Sequence, residues 1–142
     1  MTLADQVIVM RAGHIEQIAA PAELYARPAS MFVARFIGTP PMNVLPAAAV
    51  KPANGAALDA LALGVRPEAV QIRPEGVPAR ITGVEYLGAD TLVETRIAAE
   101  PFIVRVGGRV QAAPGDVLHL GWEADATHWF ELSSGRRVQP RA

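Results

Sequence analysis

The stretch FIVRVGGRVQAAPGDVLHLGW, from Phe102 to Trp122, decides the fold class. Its first five residues alternate: Phe102, Val104 and Val106 share one face, Ile103 and Arg105 the other. A period of two marks a strand, because successive side chains leave a pleated backbone on opposite sides. Gly107-Gly108 interrupts the pattern. Pro114-Gly115-Asp116 interrupts it again, with Pro-Gly as the central pair of a type II turn. Beyond that turn Leu118, Leu120 and Trp122 share a face and His119 lies opposite. Working outward, Val70 to Arg73, Pro78 to Leu87, Ala89 to Ile97 and His128 to Leu132 also read as strands. Gly88-Ala89-Asp90 and Ser133-Ser134-Gly135 read as turns. Short strands with turns about every ten residues predict a small barrel or sandwich. Five or six strands favour an OB-like barrel over a nine-stranded sandwich.

Residues 5–38 have a different texture. Val7 to Met10 is a continuous apolar run, the pattern of a buried strand. Arg11-Ala12-Gly13 is a turn, and His14 to Ile18 alternates imperfectly as a second strand. Pro21 suits the first position of a short helix, where its missing N–H costs nothing, and Pro28 stops that helix. Ser30 is placed to cap a second helix ending at Gly38, with Phe32, Val33, Phe36 and Ile37 expected on its inner face. Thr39 to Leu45, with Pro40-Pro41, reads as a linker. The Ala-rich segment from Ala47 to Ala62 is weakly patterned.

Composition narrows the function. The 142 residues suit one domain, or one domain with an appendage. Hydrophobic residues at 51% and charged ones at 19% are ordinary for a globular chain and too apolar for disorder. Net charge is −1, which argues against a protein that wraps nucleic acid. Cysteine is absent, so disulfides, thiolate nucleophiles and Cys-ligated zinc are excluded. No apolar stretch approaches the ~20 residues that span a bilayer. The N-terminus carries Asp5 early, with no basic segment followed by an apolar one, so it does not read as a signal peptide. The default compartment is the cytoplasm.

Catalytic patterns are missing from the sequence. His14, His119 and His128 lack the HxH or HxxxH spacing that brings imidazoles onto one metal. Ser30, Ser133 and Ser134 are the only serines, and none sits in GxSxG. No GxxxxGK[ST] loop is present to cradle ATP phosphates, and the only lysine, Lys51, follows no glycine-rich loop. Arg66, Arg73, Arg80, Arg96, Arg105 and Arg109, with Trp122, Trp129 and Phe130, offer a single-strand nucleic-acid reading. The region's acidic balance favours the plainer one, in which the arginines solvate the outer face.

The sequence resembles a known family. MTLADQVIVM (Met1 to Met10), Gly13-His14-Ile15-Glu16-Gln17, Pro21-Ala22-Glu23-Leu24-Tyr25, Phe32-Val33-Ala34 and Phe36-Ile37-Gly38 resemble the end of an ABC-transporter nucleotide-binding domain. The kind it resembles is the ATPase subunit of carbohydrate importers. Pro40-Pro41-Met42-Asn43 matches the join to that family's regulatory domain. Gly64-Val65-Arg66-Pro67-Glu68, Glu85 to Val93, Gly115-Asp116, His128-Trp129-Phe130 and Gly135-Arg136-Arg137 resemble its transport-associated OB (TOBE) domain. Leu87-Gly88-Ala89-Asp90 and the short C-terminal region are most similar to the ATPases of sn-glycerol-3-phosphate importers. Two departures stand out: Ala20 where the family usually has a capping Thr, and Trp129 where it usually has Leu.

The resemblance implies a mainly β chain. Residues 1–38 would be a strand-pair and two-helix remnant of the α/β nucleotide-binding domain, 39–46 a linker, and 47–142 the OB-like regulatory barrel. It implies the regulatory and dimerisation part of an ATP-binding subunit of an importer for sugars or glycerol-3-phosphate. The family's Walker A, Q-loop, signature, Walker B and switch-His residues match nothing here, so no catalytic role is carried over, and ATP and Mg belong to the full-length parent. Partners implied are a second copy, permease subunits and a substrate-binding protein, at the inner face of the cell membrane. The alternative is a small-oxyanion or phosphate-ester site. It would use turn N–H groups of Gly88, Ala89 and Asp90, with Arg66 and Glu68 as further candidate ligand residues. An OB-type nucleic-acid binder is the third reading.

Overall fold

The computed structural model describes residues 6–50 and 60–139. Strands β1 (Val7–Arg11) and β2 (His14–Ala19) form an antiparallel hairpin, with Arg11 opposite His14. Its two turn residues, Ala12 and Gly13, have φ of 48° and 81°. Positive φ at both positions marks a type I′ turn, whose twist matches that of paired strands. Only Val9 of the apolar run is buried; Ile8 and Met10 are exposed. The expected fully buried strand is thus half-covered, because the helices pack on one side of the hairpin only.

Helix α1 (Pro21–Ala26) starts at Ala20 with no side-chain cap and carries Pro at its first turn. Helix α2 (Met31–Phe36) is capped as expected, the Ser30 hydroxyl accepting from the Val33 N–H at 3.3 Å. Its inner face differs from the expected one. Val33, Ala34 and Ile37 are buried, whereas Phe36 is 66% exposed and stacks on Phe32 at 5.8 Å. Positions i, i+1 and i+4 fall together at 3.6 residues per turn, and Phe36 lies to the outside of them.

The rest is β. The stretch expected as a linker contains strand β3 (Asn43–Pro46). It pairs with β4 (Leu61–Val65), which pairs with β10 (His128–Glu131), which pairs with β11 (Arg137–Val138). A second antiparallel sheet runs β5 (Gln71–Arg73), β9 (Val117–Gly121), β6 (Val77–Tyr86), β7 (Asp90–Ile97) and β8 (Glu100–Gly107). The two sheets share one core. Leu45, Leu63 and Val65 from the first meet Ile81, Val93, Phe102, Val104 and Leu120 from the second. Phe102 and Val104 point inward and His119 outward, as their alternation requires.

The mainly β, OB-like class is as expected, but the strands form two open sheets rather than a closed barrel. Among the described residues no further strand pairs with the β8 edge. Instead the Asn43 side chain takes the edge, donating from Nδ2 to the Ile103 carbonyl and accepting the Ile103 N–H at Oδ1, both at 2.8 Å. One amide therefore replaces a strand at that point and ties the two sheets together.

Candidate functional site

Arg66 lies just after β4 and is 6% exposed. It is not the solvated arginine expected from the sequence. Its guanidinium donates to the Ile37 carbonyl and to the Tyr25 carbonyl, each at 2.7 Å. These carbonyls stand at the C-terminal ends of α2 and α1. Helix ends leave carbonyls without intrahelical partners and concentrate partial negative charge, so one buried cation serves both. The same guanidinium lies 4.0 Å from the centre of the Tyr25 ring. The Tyr25 hydroxyl donates in turn to the Glu68 carboxylate. Burial holds the Arg66 pKa at about 10, still charged at neutral pH. Its Nε has no acceptor among the described residues.

Gly38 belongs to this joint. Its φ is 106°, and a Cβ there would meet Arg66 Nη1 at 3.0 Å and the Pro40 carbonyl at 3.2 Å. Only glycine combines that backbone angle with that approach. A second clamp uses the C-terminal strand. Arg137 donates from Nε to the Pro28 carbonyl at 2.8 Å and from its backbone N–H to the Ala29 carbonyl at 2.9 Å. Its Nη2 donates to His128 Nδ1 at 2.7 Å. Burial, then the charges of Arg137 and Arg66, push the His128 pKa down to about 4. His128 is a neutral acceptor inside the clamp. Among the described residues no group of three His, Cys, Asp or Glu side chains is arranged to hold a metal ion.

The candidate ligand residues separate into two places. Arg66 and Glu68 meet over Tyr25, in the joint. Gly88, Ala89 and Asp90 form the tip of the β6–β7 hairpin, where the Leu87 N–H reaches the Asp90 carbonyl at 2.8 Å. There the Asp90 carboxylate accepts from Arg105 Nε at 2.8 Å. No hydrogen bond or ion pair of the hairpin tip among the described residues involves Arg66 or Glu68. A carboxylate at the tip also repels an incoming anion.

Sequence reasoning missed Tyr25, Asn43 and Arg137. Each acts through a contact more than forty residues away, and no periodicity reports such a pair. The one available signal was a polar Asn after Pro40-Pro41-Met42, at the start of an apolar run.

Sequence comparisons relate the chain around this joint to known proteins. Residues 63–130 match the TOBE domain family, a span from β4 to β10 that takes in the five-stranded sheet and the centre of the four-stranded one. This segment is similar to TOBE domains. Around it the chain is similar to the sn-glycerol-3-phosphate import ATP-binding protein UgpC of Cupriavidus metallidurans, 35% identical over 100% of this chain and 46% of that protein. The protein of the same name from Cereibacter sphaeroides is 42% identical over 97% of this chain and 44% of its own length. That of Yersinia pestis bv. Antiqua (strain Antiqua) is 39% identical over 99% and 44%. The similarity falls on the C-terminal part of these proteins. The chain spans less than half the length of the relatives it matches. In this frame the Arg66 joint fastens the start of the TOBE domain to the two helices before it.

Proposed function

We propose that this chain is the C-terminal, regulatory part of the ATP-binding subunit of an ABC importer for sugars or glycerol-3-phosphate. Its task is mechanical: the TOBE domain keeps two copies of the subunit together, and the Arg66 joint carries displacements between the TOBE domain and the ATPase end. The observation that supports this most is the joint itself. A cation buried against the ends of both helices makes α1, α2 and the TOBE domain move as a unit. Hydrolysis belongs to the parent subunit, which would supply the phosphate loop and bind ATP and Mg. The parent would work at the inner face of the membrane with permease subunits and a substrate-binding protein. No described helix is long and apolar enough to cross a membrane.

Sedimentation velocity at micromolar concentration tests the pairing. A dimer is expected, and a strictly monomeric species overturns that part. ATP turnover by the purified chain is expected to be absent, and measurable turnover would overturn the assignment of catalysis to the parent.

A further inference from the structure

A cavity, remote in its lining from the Arg66 joint, opens between the two sheets. It encloses about 340 Å³. Leu63 of β4 and Trp129 of β10 line it from the four-stranded sheet, and Val77, Gly121 and Arg73 from the five-stranded one. Trp122, just after β9, forms a further wall and is itself held by stacking on buried Phe102, centroids 5.6 Å apart. Both tryptophans of the chain therefore face one space. Its volume lies at the lower end of the range for small-ligand sites, which are mostly apolar with a few placed polar groups.

Among the described residues Arg73 is the only charged side chain in the lining. Its guanidinium is held in place. Nε and Nη2 donate to Gln71 Oε1 at 3.1 and 2.7 Å, and Nη2 makes a loose 3.5 Å contact with Glu123. The side chain lies against the backbone of Gly121, where a Cβ would meet Nη1 at 2.5 Å and Cδ at 2.8 Å. The absence of a side chain at Gly121 is what lets the guanidinium lie there. Among the described residues Nη1 has no hydrogen-bond acceptor. Gln71 and Glu123 thus take Nε and Nη2, and Nη1 is the guanidinium nitrogen left for a ligand. A planar guanidinium with free N–H groups selects a carboxylate or similar anion. Indole walls select a flat apolar body.

We infer that this cleft binds a small aromatic carboxylate, its ring between Trp122 and Trp129 and its carboxylate on Arg73 Nη1. Such a ligand touches both sheets at once. The inference does not rest on the transport reading above.

The test uses 2-naphthoate with the full chain. The protein has two tryptophans, so its indole N–H spectrum holds two signals and both report on the cleft. Both are expected to shift on titration, with 2-naphthylmethanol, which lacks the charge, binding about tenfold more weakly. Arg73→Gln is expected to weaken 2-naphthoate by about tenfold and leave the alcohol unchanged, while Arg80→Gln changes neither. Trp129→Leu, checked for folding by circular dichroism, is expected to abolish binding of both. Unmoved indole signals at about 10 mM 2-naphthoate overturn the site. Equal binding of acid and alcohol, or an unaffected Arg73→Gln, overturns the role given to Arg73. Undiminished binding by folded Trp129→Leu overturns the placement of the ring.

Discussion

Replacing Arg66 by Met removes the joint while keeping a buried chain of similar length. The Tyr25 and Ile37 carbonyls then lose a charged donor at 2.7 Å each. Hydrogen bonds to charged groups contribute about 1.5–3 kcal/mol apiece. The guanidinium over the Tyr25 ring adds about 1–2 kcal/mol. Against this, Met no longer buries a charge. That burial is what pulls the Arg66 pKa to about 10, and its relief returns about 3 kcal/mol. The net expectation is a loss of about 1–5 kcal/mol, a large share of a small domain's stability. Urea unfolding measures the total, and hydrogen exchange shows where it falls. Amides of α1 and α2 should exchange faster than those of β7 and β8, because the contacts removed end on the helices. Arg66→Lys should recover part of the loss, since an ammonium serves one carbonyl well but lacks the fork that reaches two. A loss below about 0.5 kcal/mol, the scale of an ordinary surface substitution, would refute the account. So would a loss with helix exchange unchanged.

Three further outcomes are expected. Asn43→Ala strands the Ile103 N–H and carbonyl and should cost about 2–3 kcal/mol in thermal or urea unfolding; a neutral result would mean water replaces the amide. His128, whose pKa is held near 4, is neutral in the native state while the unfolded chain protonates it below about pH 6.5. Stability should therefore fall as pH drops from about 6.5 to 4, and His128→Gln should lose about 1–2 kcal/mol less than wild type over that window by urea titration. The β7–β8 turn places two alanines, Ala98 and Ala99, at φ of 48° and 71°, where L side chains cost energy. Ala98→Asn with Ala99→Gly should raise stability by about 1–2 kcal/mol, read from the midpoint of thermal unfolding.

Much of this protein was legible in local pattern. Alternation located β6 through β10 to within a residue or two, because a half-buried strand writes its two faces into every second residue. The Ser30 cap, the Pro21 start of α1 and the Pro114-Gly115 turn were legible for the same reason: each is a bond or dihedral between neighbours. Gly115 has the positive φ that its place in the turn demands. The ordered motifs also pointed to the TOBE family and to ABC importer subunits, since those motifs carry their spacing with them.

What tertiary structure alone decided was where polar side chains go and how sheets end. In the sequence Arg66 was one of six arginines with the same kind of alternating neighbours. Burial against two helix ends separates it from the other five. Asn43 looked like part of a linker, yet its side chain bonds the β8 edge and ties the two sheets together. The hairpin tip at Gly88-Ala89-Asp90 and the residues Arg66 and Glu68, grouped by motif, have different neighbours in the fold. The cleft between Trp122 and Trp129 exists only because β9 and β10 stand on facing sheets. The sequence determined which segments become strands and helices, through periodicities of two and 3.6 and through turn residues. The fold determined which side chains meet, because a contact between residues forty or sixty positions apart leaves no local trace in either.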